Sequence, residues 1–218
     1  NANYGLELLR DAGISDSQKG LRGALHVLAA SAMNTAGMDR EAVARLDYAA
    51  QLAPTDPALA RLIAIARADG GDIDGAIQAL QPAADAVDGR VSGMRRACLL
   101  ARAGRADEAR GALRVLVPQL TLPHLRQAHL VGRTCLVSTL LAAGDIKGAR
   151  AALAPARAQI LEFPDPGLQW RIHALDGRIS AADGRWPDAA GAWRLAGMAY
   201  LTALGERAWR GVTYQNRT

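Results

Sequence analysis

The chain has 218 residues, 50% of them hydrophobic but only 4% aromatic and 22% charged, with a formal net charge of +5. That balance excludes a disordered chain and describes an alanine- and leucine-rich helical protein of ordinary domain size. The longest uncharged runs, Gly23 to Met38 and Thr134 to Gly144, are shorter than the ~20 apolar residues a membrane-crossing helix needs, so no span is expected.

In chain order, residues 1–13 read as one helix stopped by Gly13. Asp16 or Ser17 then caps a long helix through about Asn34, and Asp39 starts its partner, which ends before Pro54. A second pair runs from Pro57 over a Gly70-Gly71 break into a helix from Ile73 to about Val87. A third covers about Val91 to Gln119. The fourth and fifth pairs open with long helices, Pro123 to Ala143 and Pro166 to Asp183, each with proline in the first turn, where its missing N–H costs nothing. A short capping helix around Trp209 is expected after Leu204. The resulting repeats are 17–54, 57–88, 90–120, 123–162 and 166–204, and they form a single domain.

One pattern organises these pairs: a glycine followed five residues later by alanine, at Gly37/Ala42, Gly71/Ala76, Gly104/Ala109, Gly144/Ala149 and Gly184/Ala189. The glycines recur at intervals of 34, 33, 40 and 40 residues, a period of helix-pair solenoids. Nine residues after each glycine stands Leu46, Leu80, Leu113, Leu153 or Trp193, and twelve after stands Ala49, Ala83, Leu116, Ala156 or Ala196. These offsets share one side of a helix, so the second helix of each pair buries an alanine-leucine-small stripe. Trp193 is accordingly expected in the core, leaving Trp170 and Trp209 as the tryptophans able to face a ligand. In the fifth repeat Ile172, Leu175, Ile179 and Ala182 form a stripe one residue out of phase, which predicts a rotated helix.

The spacing resembles the tetratricopeptide repeat (TPR), with Ala30, Ala64, Ala97 and Gly177 at the small position seven before the glycine and Pro54 closing the first repeat. The tryptophan of that pattern, eleven before the glycine, is replaced by His26, Ala60, Gly93, Arg133 and His173. The resemblance covers roughly residues 20 to 204. It implies an all-α fold, a right-handed superhelical α-solenoid of about five helix-turn-helix repeats with an N-terminal helix and a short C-terminal cap.

Pro82 and Pro155 stand eleven after their glycines, inside second helices, and predict a kink or an early stop. Cys98 and Cys135 lie six and nine before their glycines, out of register, and read as reduced thiols. His124 and His129 are five apart and do not share a helix face as metal ligands would; His26 and His173 read as packed, neutral residues or as a groove-lining pair. Nucleotide, hydrolase, metalloprotease and redox motifs are absent, so neither catalysis, metal nor cofactor is expected.

By resemblance to TPR arrays, offsets of thirteen, ten, six and three before the glycine line a concave groove. They give Val27, Ser31 and Asn34; Arg61 and Ile65; Val91, Met94 and Cys98; Val131, Thr134 and Ser138; Arg171 and Arg178. Apolar at its centre with arginines on either side, the groove is expected to take a peptide or helix of an acidic protein partner, Met94 supplying an adaptable contact. Of 26 basic residues only Lys19 and Lys147 are lysines, a bias that either reflects coding composition or serves bidentate anion binding. Without like-charge runs or basic-aromatic interleaving, a nucleic-acid partner is not favoured. Val27 and Ser31 stand where a chaperone-tail carboxylate clamp would carry lysine and asparagine, so no such clamp is expected. The function expected is a non-catalytic interaction scaffold; the alternative is a ligand- or peptide-sensing module of a larger signalling protein or transcription activator.

Overall fold

A computed structural model describes residues 18–84 and 89–215, with side chains described up to residue 205 except at position 82. All regular structure among them is helical. The order is α1 (Lys19–Thr35), α2 (Asp39–Leu52), α3 (Pro57–Asp69), α4 (Ile73–Ala84), α5 (Arg90–Arg102), α6 (Ala106–Leu116), two 3₁₀ turns (Val117–Gln119 and Pro123–Leu125), α7 (Arg126–Ala142), α8 (Ile146–Glu162), α9 (Pro166–Ala182) and α10 (Trp186–Gln215). The expected N-terminal helix and the Asp16 or Ser17 cap lie outside the described residues.

Every helix pair turns on its signature glycine. Gly37, Gly71, Gly104, Gly144 and Gly184 have φ between 73° and 86°, and they are the described residues with positive φ. Each sits in the same hydrogen-bonded hairpin. The glycine N–H donates to the carbonyl three residues back, and the next N–H donates five back, as in Gly71 N to Ala68 O (3.3 Å) and Asp72 N to Arg67 O (2.9 Å). This closes off the carbonyls left over at the helix end. The residue after the glycine then accepts from the signature alanine, opening the second helix, as in Ala76 N to Asp72 O at 3.0 Å. In two repeats its side chain adds a cap: Asp72 Oδ1 accepts from Gly75 N (2.9 Å) and Asp145 Oδ1 from Gly148 N (2.8 Å). Asp56 caps α3 in the same manner, accepting from Ala58 N, with Pro57 in the first turn.

All five signature alanines are fully buried, at 0% exposure. No larger side chain fits at that crossing. Leu46, Leu80, Leu113 and Leu153 are likewise buried, as are Ala30, Ala64, Ala97 and Gly177 at the small position, with Val137 taking that role in the fourth repeat.

The chain divides into two compact units, one ending at Ala112 and the other starting at Leu113, inside α6. In the first unit α1 packs on α2 and α3, and α3 and α4 both pack on α5. One core cluster joins Leu46 and Ala49 of α2 to Leu59, Ile63 and Ala66 of α3; a second joins Ala76, Ile77 and Leu80 of α4 to Leu99 and Leu100 of α5. Second helices thus bury their stripe against the first helix of the following repeat. Arg67 of α3 reinforces this contact, pairing with Asp47 of α2 and with Asp72 at 2.7 Å. In the second unit α7 packs on α8, and α9 packs on α7, α8 and α10.

Four expectations are corrected. α10 runs unbroken to Gln215, so no separate capping helix follows Leu204; Ala199, Thr202 and Ala203 are compatible with helix, and no proline or cap signal stands there. Trp193 is 42% exposed rather than in the core. Its ring is too large for the leucine site and lies against Gly177 with one side open. Both cysteines are disulfide-bonded, not thiols. Offsets of six and nine before the glycine, read as out of register, fall on one face of the first helices, as the burial below shows. Pro155 lies inside a continuous α8, exposed at the helix surface, so no early stop follows it. Past Pro82, α4 is described as far as Ala84, and its continuation lies outside the described residues.

Candidate functional site

The first helices present an open stripe, but one turned from the expected register. Offsets of thirteen, nine, six and two before the glycine follow the 3.6-residue period most closely; all four are exposed in α3, while in α7 Val131, Cys135 and Ser138 are half-buried. Leu28, Leu62 and Ile65 are 62%, 43% and 44% exposed, beside exposed Ser31, Arg95 and Arg102. Fully burying an exposed side chain of this kind contributes ~1.5–3 kcal/mol, and these, already about half covered, retain roughly half of that for a covering surface. The position ten before the glycine points inward instead. Val27, Met94 and Thr134 are 5%, 1% and 6% exposed, which removes them from the groove set. Met94 is a core residue and offers no adaptable contact. Thr134 is satisfied internally, its Oγ1 donating to Val131 O at 2.8 Å.

The remaining expected residues divide between structure and surface. Asn34 is half-buried, with Nδ2 donating to Ala66 O at 3.1 Å, so it ties α1 to the end of α3. Arg102 reaches the neighbouring Ala68 carbonyl from the other side at 3.5 Å. Ser138 donates to Thr134 O along its own helix at 2.9 Å. Arg61, Val91, Val131 and Cys98 are half-buried; Cys98 Sγ lies 3.7 Å from Met94 Sδ. Arg171 and Arg178 are exposed on α9. Leu175 between them is buried, at the register that is open in α1, α3 and α5, whereas Ile172 and Ile179 keep registers buried in α3, α5 and α7, so the expected one-residue rotation of this helix is not found.

In the first unit the same register therefore exposes Leu28 and Ser31 on α1, Leu62 and Ile65 on α3, and Arg95 on α5, with Arg61 near enough to Arg95 for their charges to interact. Desolvation and the charge of Arg61 hold the Arg95 guanidinium below its ordinary range. The two cations are near enough to interact, and an anionic group beside them would relieve Arg95. Sequence reading missed Leu28, Leu62 and Arg95. Their apolar or basic character at a common offset was the available signal.

The second unit carries a polar cleft of about 490 Å³ lined by Arg150, Arg157, Asp176, Ser180, Arg185, Asp188 and Ala192. Arg157 pairs with Asp176, Arg150 with Asp183, and Arg185 with Asp188 at 2.7 Å and Asp183 at 3.3 Å. Desolvation and the charges of Arg150 and Arg185 lower Arg157. Each of these three cations has a carboxylate, so the cleft is an ionic bracket between α8 and the α9–α10 pair.

The three half-buried histidines are packed between repeat helices. His26 meets Tyr48 edge-on at 4.7 Å, and burial, Arg45 and Arg22 lower it. His173 is lowered by burial and Arg157. His129 accepts at Nε2 from Arg133 Nε (2.9 Å) and lies 3.0 Å from Gln159 Oε1 through Nδ1. Since Nε2 accepts, Nδ1 carries the proton. Burial and Arg133 lower its pKa, with Gln159 acting the other way.

Helix pairs turning on an αL glycine, with second helices stacked on the next first helix, define a TPR-like helical-repeat protein of the α-solenoid class. Two solved structures share this architecture. BtubC (BKLC) from P. vanneervenii matches with a TM-score of 0.75 at 17% identity, covering 94% of this chain and 90% of that one. MamA AMB-1 matches with a TM-score of 0.50 at 18% identity, covering 82% of this chain and 91% of that one. At such identities the likeness is one of fold. No protein-family model matches the chain, nor does any curated protein. No helix among the described residues is long and apolar enough to cross a membrane.

Proposed function

We propose that the chain is a non-catalytic protein-interaction scaffold whose first unit takes an acidic amphipathic segment of a partner on the open stripe of α1, α3 and α5. The observation that carries this reading is the exposure of Leu28, Leu62 and Ile65 on the same first-helix stripe as Arg95, whose guanidinium is lowered by desolvation and by the charge of Arg61. Apolar side chains supply contact area, while the arginines select carboxylates and speed encounter. The likeness to helical-repeat proteins supports a scaffold, since such arrays expose extended faces rather than enclosed pockets.

The test uses two labelled amphipathic peptides of identical apolar pattern, one with glutamate and one with lysine on the polar face, read by fluorescence anisotropy. The acidic peptide binds, weakens with salt, and loses at least tenfold in affinity with Arg61→Glu/Arg95→Glu. Equal binding of both peptides, or none of the acidic one, overturns the reading.

A further inference from the structure

The polar cleft of the second unit departs from the residue types that the same registers carry elsewhere in the chain. Eight and four residues before the glycine, the earlier described first helices after α1 have Ile63 and Arg67, Arg96 and Leu100, and Leu136 and Leu140, so each keeps at least one apolar side chain there. Ile63, Leu100, Leu136 and Leu140 are all buried. In α9 both positions are polar, Asp176 and Ser180. Thirteen after the glycine, the earlier repeats have Ala50, Ala84 and Val117, whereas α8 has Arg157. At these positions apolar contact has been exchanged for a polar cavity of about 490 Å³, which costs stability and which packing alone does not call for.

The carboxylates around the cleft leave its donors partly unused. The Arg157 Nε–H is buried and has no hydrogen-bond partner, although the guanidinium pairs with Asp176 through Nη2. Ser180 is 4% exposed; its Oγ accepts from Arg185 Nη2 at 3.4 Å, and its own hydrogen is left to donate. Arg150 and Arg185 share Asp183, and desolvation with the charges of these two arginines holds Arg157 below its ordinary range, so the three cations still act on one another despite their partners. The pairs are also exchangeable. The arginine side chains are 40% to 49% exposed and that of Asp188 is 59% exposed, and ion pairs so open to water hold weakly.

We propose that this cleft binds the phosphate group of a small phosphomonoester, held by Arg150, Arg157 and Arg185 with Ser180 as a further donor. A carboxylate ligand would only repeat what Asp176, Asp183 and Asp188 already supply. A phosphate dianion brings more charge and three acceptor oxygens to the planar guanidinium forks, which is what displacing those carboxylates requires. The cavity falls within the size range of small-molecule sites and is larger than one phosphate fills, leaving room for the organic part beside Ala192. The site is separate from the acidic-segment stripe, whose residues all belong to the first unit.

Isothermal titration calorimetry at low ionic strength and mildly alkaline pH tests this with phenyl phosphate, inorganic phosphate and benzoate. Phenyl phosphate is expected to bind, inorganic phosphate to bind more weakly, and benzoate to give no heat of binding. Ser180→Ala removes a donor without removing a charge and should weaken phenyl phosphate about tenfold; Arg157→Gln should weaken it further. Asp188→Asn, at an exposed position, takes a competing carboxylate from Arg185 and should tighten binding, the opposite of what loss of a merely structural ion pair would do. Circular dichroism verifies folding, and if Arg157→Gln unfolds, the other two variants carry the test. Absence of phosphate binding, equal affinity for phenyl phosphate and benzoate, tighter binding of inorganic phosphate than of the ester, or affinities unchanged by Ser180→Ala and Asp188→Asn overturn the proposal.

Discussion

Trp193 packs its pyrrole edge against Gly177: a methyl group built on Gly177 would fall 2.4 Å from Nε1 and 2.5 Å from Cδ1 of the indole. The other repeats with a small residue at this register place alanine seven before the glycine and leucine nine after, whereas here glycine and tryptophan share a similar combined volume. The two positions exchange size across one contact. Gly177→Ala alone is therefore expected to destabilise the fold by ~1–3 kcal/mol through overpacking, despite the better helix propensity of alanine. Gly177→Ala/Trp193→Leu restores the usual pair and should recover at least that amount in urea unfolding. Additive losses in the double variant would show that the two residues are not coupled.

The turn glycines carry a separate cost. Gly71 and Gly104 have φ of 86° and 81°, with no atom near a built Cβ, so substitution there strains the backbone without any clash. Gly104→Ala should cost ~1–2 kcal/mol, the penalty of an L-residue in the left-handed region. The exposed helical Gly111, also free of neighbours, is the control, and Gly111→Ala should stabilise by up to ~1 kcal/mol. Equal effects at both positions would refute the conformational account.

Pro155 stands exposed within α8 and leaves the Ala151 carbonyl without its helical donor. Pro155→Ala supplies that N–H and should raise stability, by at most the ~3 kcal/mol that an interior proline costs. An unchanged or lowered melting temperature would mean that the helix is adapted to the proline.

The half-buried histidines make stability depend on pH. His26, His129 and His173 have folded-state pKa values below the ordinary 6.5, so below that value the unfolded chain binds more protons. Their contribution is present above about pH 6.5 and is lost as pH falls, the slope per histidine being at most ~1.4 kcal/mol per pH unit. Protonating His129 would set an N–H against the Arg133 donor. His129→Leu should flatten the fall in melting temperature between neutral and mildly acid solution. A slope unchanged in that variant would assign the pH dependence elsewhere.

What the sequence made legible is whatever depends on spacing along one helix. The interval between glycine and alanine specifies a left-handed turn and a crossing too close for any larger side chain, and all five pairs take that geometry. Rotation about the helix axis was less legible. Adjacent positions differ by ~100°, and spacing by itself placed Val27, Met94 and Thr134 outward when the neighbouring Leu28, Leu62 and Arg95 hold that direction. The choice between them depends on how the following repeat packs, which is a property of pairs of helices. The exposure of Trp193 was hidden for a like reason, because it follows from Gly177, sixteen residues earlier.

The central claim is that the open stripe, and not the register beside it, contacts the partner. The most direct measurement compares Leu62→Glu/Ile65→Glu with Met94→Glu, following both thermal melting and anisotropy of the glutamate-faced peptide. The first variant is expected to melt near the wild-type temperature and to lose peptide binding. Met94→Glu, placing a carboxylate in a site 1% exposed, should lower the melting temperature sharply. Retention of wild-type peptide affinity by Leu62→Glu/Ile65→Glu would contradict the account.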